Sequence, residues 1–521
     1  MVKQFMKKIS KQEIQYDFCL ICLWSHQVFV NPLYHFVRKA LNSVTSEIIK
    51  EKLYSFNPNI SINNKESSLL RYQIKYPCAP ALLVLAAVLE KKYSVNVISL
   101  DVEKKKLNSD DWLTIAIREI SKKTKYGIMI SFVSTELTQL YNFTELIKKE
   151  KKELKIIVGG VHATYNDFQL MQNFNIDYII RGEGELTTLE LCDAIVTNKD
   201  VKNIQGITYR HNGKIIRNAD RNFIDLKDTP IPAYHYIKDY INEVVISTMF
   251  SRGCPYKCDY CTESAFWSSK VRYKDITKFV DELDILINKY NQHFIHIADS
   301  TFGTDKKRLS LLCDELEKRK FNAFFSVNIR PNVFKYMGEK LLIRLKNLNF
   351  VEFYMGIESA DENIVETLNR YQGEENLIET LRRLKKIGIP FVKLYLMLGS
   401  PAENRNSLEK TVTLIEELLE EDLIFYATGK YFVPSVGSML YNKIGFNDNI
   451  IPESIRLDRY NSPPIYVANN EIAEELDIYM QMIQVIQYKH YLNKCDINTQ
   501  KEMKKEWEEF VSKNYCQGYY F

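Results

Sequence analysis

The chain has 521 residues, 45% hydrophobic and 26% charged, with a net charge of +4; this is a globular balance over a length that calls for two or three domains. So small a charge, without a long basic run, gives no footprint for nucleic acid, and the longest apolar stretch, Ala79 to Leu89, is too short to span a bilayer. Basic residues near the start lack an apolar signal core behind them, and the 10 cysteines are too dilute for a secreted disulfide framework, so a cytoplasmic protein is expected.

Asp17 to Leu23 is a short apolar run that reads as a buried strand. Cys19 and Cys22 make a CxxC within it, but residues three apart on a strand face opposite sides, so both read as small core residues. Pro80 to Lys91 reads as an apolar helix and Val95 to Leu100 as a strand; Trp112 to Lys122 reads as a helix and Gly127 to Val133 as a buried strand. Leu137 to Lys149 is an amphipathic helix, Lys155 to Val158 a strand ending at Gly159-Gly160, and Tyr178 to Arg181 a short strand ending at Gly182-Glu183-Gly184-Glu185, before a helix through Ala194. This β-α rhythm predicts a Rossmann-like, doubly wound parallel sheet, whose ligands bind at the carboxyl ends of strands. Ser131, Gly159, Gly160 and Gly182 stand at or near such ends. Gly206 to Ile216 reads as a hairpin turning at Asn212-Gly213, and Asp225 to Ala233, with Pro230 and Pro232, as a linker.

A second β-α series follows, with strand-like runs at Val244 to Met249, Phe294 to Ala298, Ala323 to Val327, Val351 to Met355, Phe391 to Leu396 and Ile424 to Thr428. Helical patterns such as Lys278 to Tyr290 and Asn376 to Ile387 lie between them. The expectation is a partial (βα)6 barrel related to the TIM fold, with its chemistry at the strand carboxyl ends. Beyond Pro434 the rhythm stops. Pro463-Pro464 and two helical patterns, Glu471 to His490 and Thr499 to Lys513, suggest a helical extension. The expected domains are 1–235, 236–440 and 441–521. The tyrosines of the last (Tyr479, Tyr488, Tyr491, Tyr515, Tyr519, Tyr520) either cap the barrel mouth or belong to helices packed on its flank, the second reading being favoured.

The barrel's first strand runs directly into SRGCPYKCDYC. Cys254, Cys258 and Cys261, four and three residues apart, can wrap three corners of a [4Fe-4S] cubane and leave one iron open. The alternative is a structural zinc with a fourth ligand elsewhere; His296 and Cys313 are the next candidates. The spacing, with Tyr260 before the last cysteine, resembles the signature of the radical S-adenosylmethionine (SAM) superfamily. That resemblance implies a cluster whose open iron chelates SAM and whose electron cleaves it to a 5′-deoxyadenosyl radical, with Tyr260 near the adenine. It extends to Asp299 at the end of the second barrel strand, Ser326, Asn328 and Arg330 at the third, and Gly356-Ile357-Glu358-Ser359 at the fourth, where the SAM site would lie. Gly399-Ser400-Pro401-Ala402-Glu403 stands where relatives have Gly-x-Pro-Gly-Glu, with alanine replacing the second glycine.

Upstream, Tyr76-Pro77-Cys78-Ala79-Pro80, IIVGGVHAT (Ile156 to Thr164) and IIRGEGE (Ile179 to Glu185) resemble the cobalamin-binding domain of one radical SAM subfamily. By that resemblance Ser131, Ser134, Gly159, Gly160, His162 and Gly182 would face cobalamin. No Asp-x-His-x-x-Gly motif supplies a cobalt ligand; Trp24-Ser25-His26 lacks the partners, and His162 reads as structural or facing the nucleotide tail. The implied activity is cobalamin-dependent methyl transfer to an unactivated carbon of a small-molecule or peptide substrate, with an electron donor such as flavodoxin or ferredoxin. The alternatives are a cobalamin-containing radical cyclase or rearrangement enzyme, and a non-catalytic cobalamin or metal-binding module.

Overall fold

Alternating strand and helix patterns give parallel sheets here because each crossover helix covers an apolar sheet face. A computed structural model of the chain describes residues 15–23, 48–49, 51–53, 55–57, 80–243, 246–370, 376–433, 435–444, 472 and 475–514. Trp24-Ser25-His26, Tyr76 to Ala79, Pro463-Pro464, Tyr515, Tyr519 and Tyr520 lie outside the described residues.

Among the described residues, the amino-terminal sheet has seven strands in the order β2-β1-β3-β4-β5-β6-β7. They are β1 (Tyr16–Cys22), β2 (Val95–Ser99), β3 (Thr124–Ser131), β4 (Lys155–Gly159), β5 (Tyr178–Ile180), β6 (Ile207–His211) and β7 (Lys214–Arg217). The first five are parallel, and β6 and β7 add an antiparallel hairpin. Its turn uses Asn212 at φ 50° and Gly213 at φ 75°, the left-handed pair that a two-residue hairpin needs. Cys19 and Cys22 are buried in different hydrophobic clusters, as residues on opposite faces of a strand should be. The order 2-1-3-4-5 opens a crevice where β1 meets its two neighbours, at the carboxyl end of the sheet.

The second sheet has the order β15-β14-β13-β12-β11-β8 among the described residues, every pair parallel. Its strands are β8 (Ser247–Thr248), β11 (Phe294–Ile297), β12 (Phe324–Ile329), β13 (Phe350–Glu358), β14 (Phe391–Leu398) and β15 (Tyr426–Tyr431). A small ribbon of β9 (Ser251–Arg252) and β10 (Arg272–Tyr273) flanks the cysteine loop. The barrel interior is unusually polar. Lys393 pairs with Glu352 at 2.6 Å, both almost wholly buried, and Tyr354 donates to the other Glu352 oxygen at 2.5 Å. His296 Nδ1 is hydrogen-bonded to Ser326 Oγ at 2.9 Å, and burial, then Lys393, pushes its pKa down to about 4.

The helix Leu476–Leu492 packs on the outer flank of β15. Gln487 binds both the N–H and the C=O of Ala427, and Tyr491 donates to the Phe425 carbonyl at 2.5 Å. Tyr479, Tyr488 and Tyr491 are therefore flank residues, buried against the barrel wall. No helix among the described residues is long and apolar enough to cross a membrane.

Candidate active site between the two sheets

Gly253 to Cys261 leaves β9 as a loop over the barrel mouth. A cavity of about 440 Å³ opens beneath it, lined by Cys254, Cys258, Cys261, Tyr260, Arg330, Gly356 and Glu358. Burial pushes the Cys261 thiol up to about 12, and Cys258 and Cys254 add to the shift. Thiolates carried on one short loop repel one another unless a cation stands between them. Arg330 supplies one from the barrel side: Nη1 donates to Cys258 Sγ at 3.1 Å, and its guanidinium stacks 3.9 Å from the Tyr256 ring centroid. Cys254 Sγ lies 3.4 Å from Thr301 Oγ1.

This donor set fits a cubane better than a single ion. Four thiolates on one zinc, each about 2.3 Å from the metal, would lie about 4 Å apart, and among the described residues no three His, Cys, Asp or Glu side chains draw together to hold an ion. Three cysteines spaced along the wall of one cavity suit a larger cluster. Cys313 is fully buried in the hydrophobic core, and His296 is bonded inside the barrel, so neither supplies a fourth zinc ligand.

The strand ends around the cavity are tied together. Glu358 closes β13 at a register shift with φ +64°, a left-handed conformation that is costly for a side-chain-bearing residue. Its carboxylate accepts from Tyr260 Oη at 2.9 Å and pairs with Arg370 at 3.1 Å. A Cβ on Gly356 would come within 2.5 Å of Glu358 Oε1, so this glycine makes room for the pair.

Three of the expected SAM-site residues lie elsewhere. Asp299 is 1% exposed and is used by the fold: it accepts from the N–H groups of Phe250 and Ser251 and from Ser251 Oγ, holding the strand that feeds the cysteine loop. Burial pushes its carboxyl up to about 6. Ser326 points into the barrel but below the cavity floor, against His296. Ser359 is buried with Thr411 and the backbone of Asp361. The cavity instead uses Asn328, Tyr354, Tyr395, Ser300, Thr301, Trp267 and Glu263. Asn328 had a sequence signal, since it shares the inward face of β12 with Ser326 one layer nearer the mouth.

On the facing sheet, Gly182 has φ +70° and open space where a side chain would stand, and Val133 exposes 58% of its surface beyond the end of β3. Open backbone and exposed apolar surface at strand ends fit a corrin and its tail. Gly160 is needed for the turn itself: at φ +109°, a Cβ would lie 2.8 Å from the Phe132 carbonyl oxygen. Ser134 and His162 bond to each other at 2.8 Å. His162 is 2% exposed, and its other ring nitrogen lies 3.5 Å from Asn166. Burial pushes its pKa down to about 4. It is a neutral core residue whose nitrogens are both engaged, so it offers no cobalt ligand.

The two sheets meet at their carboxyl ends through a buried ion cluster. Arg252, two residues before Cys254, donates 2.6 Å bonds to Glu183 in the loop after β5 and to Glu185 at the start of the helix that follows. Arg272 donates two 3.0 Å bonds to Glu183. Tyr165, just past the Gly159-Gly160 turn, packs on Phe266 of the short helix that follows the cysteines. The glycine-bearing strand ends of one sheet thus face a barrel mouth carrying three thiols.

Comparison with known proteins assigns the family. Residues 248–415 match the radical SAM superfamily and residues 77–192 the B12 binding domain. The chain therefore carries a B12-binding domain followed by a radical SAM domain. The radical SAM domain implies a [4Fe-4S] cluster and SAM, and the B12-binding domain implies cobalamin. A protein of Pyrococcus horikoshii described as an uncharacterized methyltransferase is 28% identical over 65% of this chain and 72% of its own length. The anaerobic magnesium-protoporphyrin IX monomethyl ester cyclase of Rubrivivax gelatinosus is 26% identical over 52% of this chain; the match spans about half of the cyclase, 51%. The radical SAM methyltransferase TsrM from Kitasatospora setae, solved with cobalamin and a [4Fe-4S] cluster, shares the fold at a TM-score of 0.59 and 17% identity, over 71% of this chain and 72% of that one.

Proposed function

We propose that this chain is a cobalamin-dependent radical SAM methyltransferase acting on an unactivated carbon of a small-molecule or peptide substrate, in the cytoplasm. The observation that carries the proposal is the direct joining of the two cofactor sites: Arg252, at the end of β9 where it runs into the cysteine loop, is bonded to Glu183 and Glu185 beyond β5 of the opposite sheet. Cys254, Cys258 and Cys261 would hold the cluster. Tyr260, Arg330, Gly356 and Glu358 would border SAM, and Ser131, Gly159, Gly160 and Gly182 would border cobalamin. Asn328, which the sequence already places with Ser326 and Arg330 at the end of the third barrel strand, joins the SAM border, and Tyr354 and Tyr395 join it as new candidates. Bound together, these groups would supply one-electron cleavage of SAM and a methyl donor. The chain's own residues would orient them and exclude water. A flavodoxin- or ferredoxin-like donor would supply the electron. The domain divisions 1–235, 236–440 and 441–521 belong to this reading.

The relationship to the cyclase favours one second reading, a radical ring-forming enzyme that transfers no methyl group. Reconstituted enzyme given reductant and methyl-labelled SAM, without substrate, separates the two. Methyl transfer requires S-adenosylhomocysteine in step with label on cobalamin. Deoxyadenosine alone refutes methyl transfer and leaves radical chemistry standing.

A further inference from the structure

We propose that Glu263 binds a protonated amino group of the substrate, on the side of the cavity that faces the amino-terminal sheet. The inference deepens the proposed function and rests on reading this cavity as the reaction site.

Two carboxylates line the cavity, Glu263 and Glu358. Glu358 is neutralised by Arg370. Glu263, two residues past Cys261 in the short helix Thr262–Phe266, is held differently. Trp267 Nε1 donates to its Oε2 at 2.9 Å, and Ser300 Oγ donates to the same oxygen. Both donors are neutral, and both line the cavity themselves. One oxygen is thus fixed by two side chains, while Oε1 has no hydrogen bond and the carboxylate no ion pair among the described residues. The three arginines that line the cavity are engaged elsewhere: Arg252 with Glu183 and Glu185, Arg370 with Glu358, and Arg330 with Cys258 Sγ and the Tyr256 ring.

Its position separates this carboxylate from the SAM border. Glu358 ends β13, whereas Ser300 lies just past β11, and β12 runs between those two strands. Trp267 stacks on Arg272, which bonds to Glu183 beyond β5, and Phe266 packs on Tyr165 of the facing domain. Glu263 therefore stands at the seam between the barrel mouth and the facing strand ends, where a substrate that meets both cofactor sites has to lie. A residue that only tied Trp267 to Ser300 would serve as well as glutamine; the negative charge is what two neutral donors leave uncompensated. An ammonium donating to Oε1 makes a charge-assisted hydrogen bond, and the acceptor, already anchored through Oε2, loses little freedom when it forms.

The test is calorimetric titration of the reconstituted holoenzyme, saturated with SAM and kept without reductant. The probes are benzylammonium and its neutral isostere benzyl alcohol, whose aromatic body suits a cavity lined by Trp267, Tyr354 and Tyr395. Benzylammonium should bind about tenfold more tightly than the alcohol. Glu263→Gln keeps an oxygen for Trp267 and Ser300 and replaces the open one by an amide, so it should abolish that preference and leave the alcohol's affinity unchanged. Equal or undetectable binding of the two probes by unaltered enzyme overturns the proposal, as does a preference for the ammonium that survives in the variant. SAM is titrated separately into both proteins. Equal affinities are expected; a loss of about tenfold in the variant assigns the carboxylate to the cofactor and overturns the substrate role. Should the variant not fold, the comparison of probes on unaltered enzyme still decides. No readout needs turnover, so failure of methyl transfer and failure of the amine site are separately visible.

Discussion

Replacing Arg252 by methionine tests the joint between the sheets. The guanidinium is 9% exposed and bridges two carboxylates that are 3% and 8% exposed, each at 2.6 Å. Removing one partner of a buried pair costs about 3–5 kcal/mol, because the other charge is left uncompensated. Glu183 would keep Arg272 at 3.0 Å, so the stranded charge is Glu185. Glu185 is the first residue of the helix Glu185–Thr197, where free backbone N–H groups return about 1 kcal/mol. The expected loss is therefore about 3 kcal/mol, and Arg272→Met, which leaves Glu183 bound to Arg252, should lose about 1–2 kcal/mol. Arg252→Met combined with Glu185→Leu removes both halves of the pair and should regain about 2 kcal/mol, since an apolar replacement of a buried pair is often neutral. The assay is urea denaturation followed by circular dichroism and by tryptophan fluorescence, because Trp267 lies beside Arg272 at this joint and two domains need not unfold together. A double variant as unstable as the sum of its singles would refute the reasoning: Arg252 and Glu185 would then be uncoupled.

Changing Cys254, Cys258 or Cys261 to serine should each reduce iron and sulfide well below the roughly four of each expected for the intact cluster, while Cys19→Ala and Cys313→Ala leave both unchanged by elemental analysis. Ala402 sits at φ +70° in the turn where relatives carry glycine, so Ala402→Gly should raise the urea midpoint by the equivalent of about 0.5–1 kcal/mol, the left-handed strain relieved less the added freedom of the unfolded chain. Burial pushes Glu403 up to about 7, against the N–H groups of Gly399 and Ser400 that favour its charged form. The folded state therefore holds a proton that the unfolded chain releases near pH 4.3, and this contribution to stability falls as pH rises from about 4.3 to 7. Glu403→Gln still accepts both bonds and should flatten the difference between urea midpoints at pH 5 and pH 8 by on the order of 2–3 kcal/mol.

The strands were legible because their signals are local. A run such as Ile156-Ile157-Val158 ending in two glycines needs no partner to announce itself, and the six barrel strands fall close to where apolar runs predict them. The cysteine loop was legible for the same reason, its spacing and its strand being contiguous. Height within the barrel was not. Alternation says that Ser326, Asn328 and Arg330 share a face, but only the register with β11 and β13 shows that Ser326 lies under the floor while Asn328 and Arg330 reach the cavity. Asp299 shows a related failure. A carboxylate at a strand end can face a ligand or tie down the neighbouring loop, and what decides is the position of the Phe250 and Ser251 N–H groups, some fifty residues away in the chain.

The acidic pair in IIRGEGE presents the same problem across two domains. As sequence, Glu183 and Glu185 belong to a segment resembling a cobalamin site, and Arg252 belongs to a cluster motif. Nothing in either segment specifies the other. Their pairing needs both sheets formed and facing, so it lives in tertiary structure alone. Two anionic side chains on the cobalamin-side loop, neutralised by the residue that leads into the cluster loop, leave that loop's glycines to shape the pocket and its charges to fix the barrel. Positioning of one cofactor site against the other would then depend on this ion cluster, whose Arg252 also lines the cavity beside the thiols.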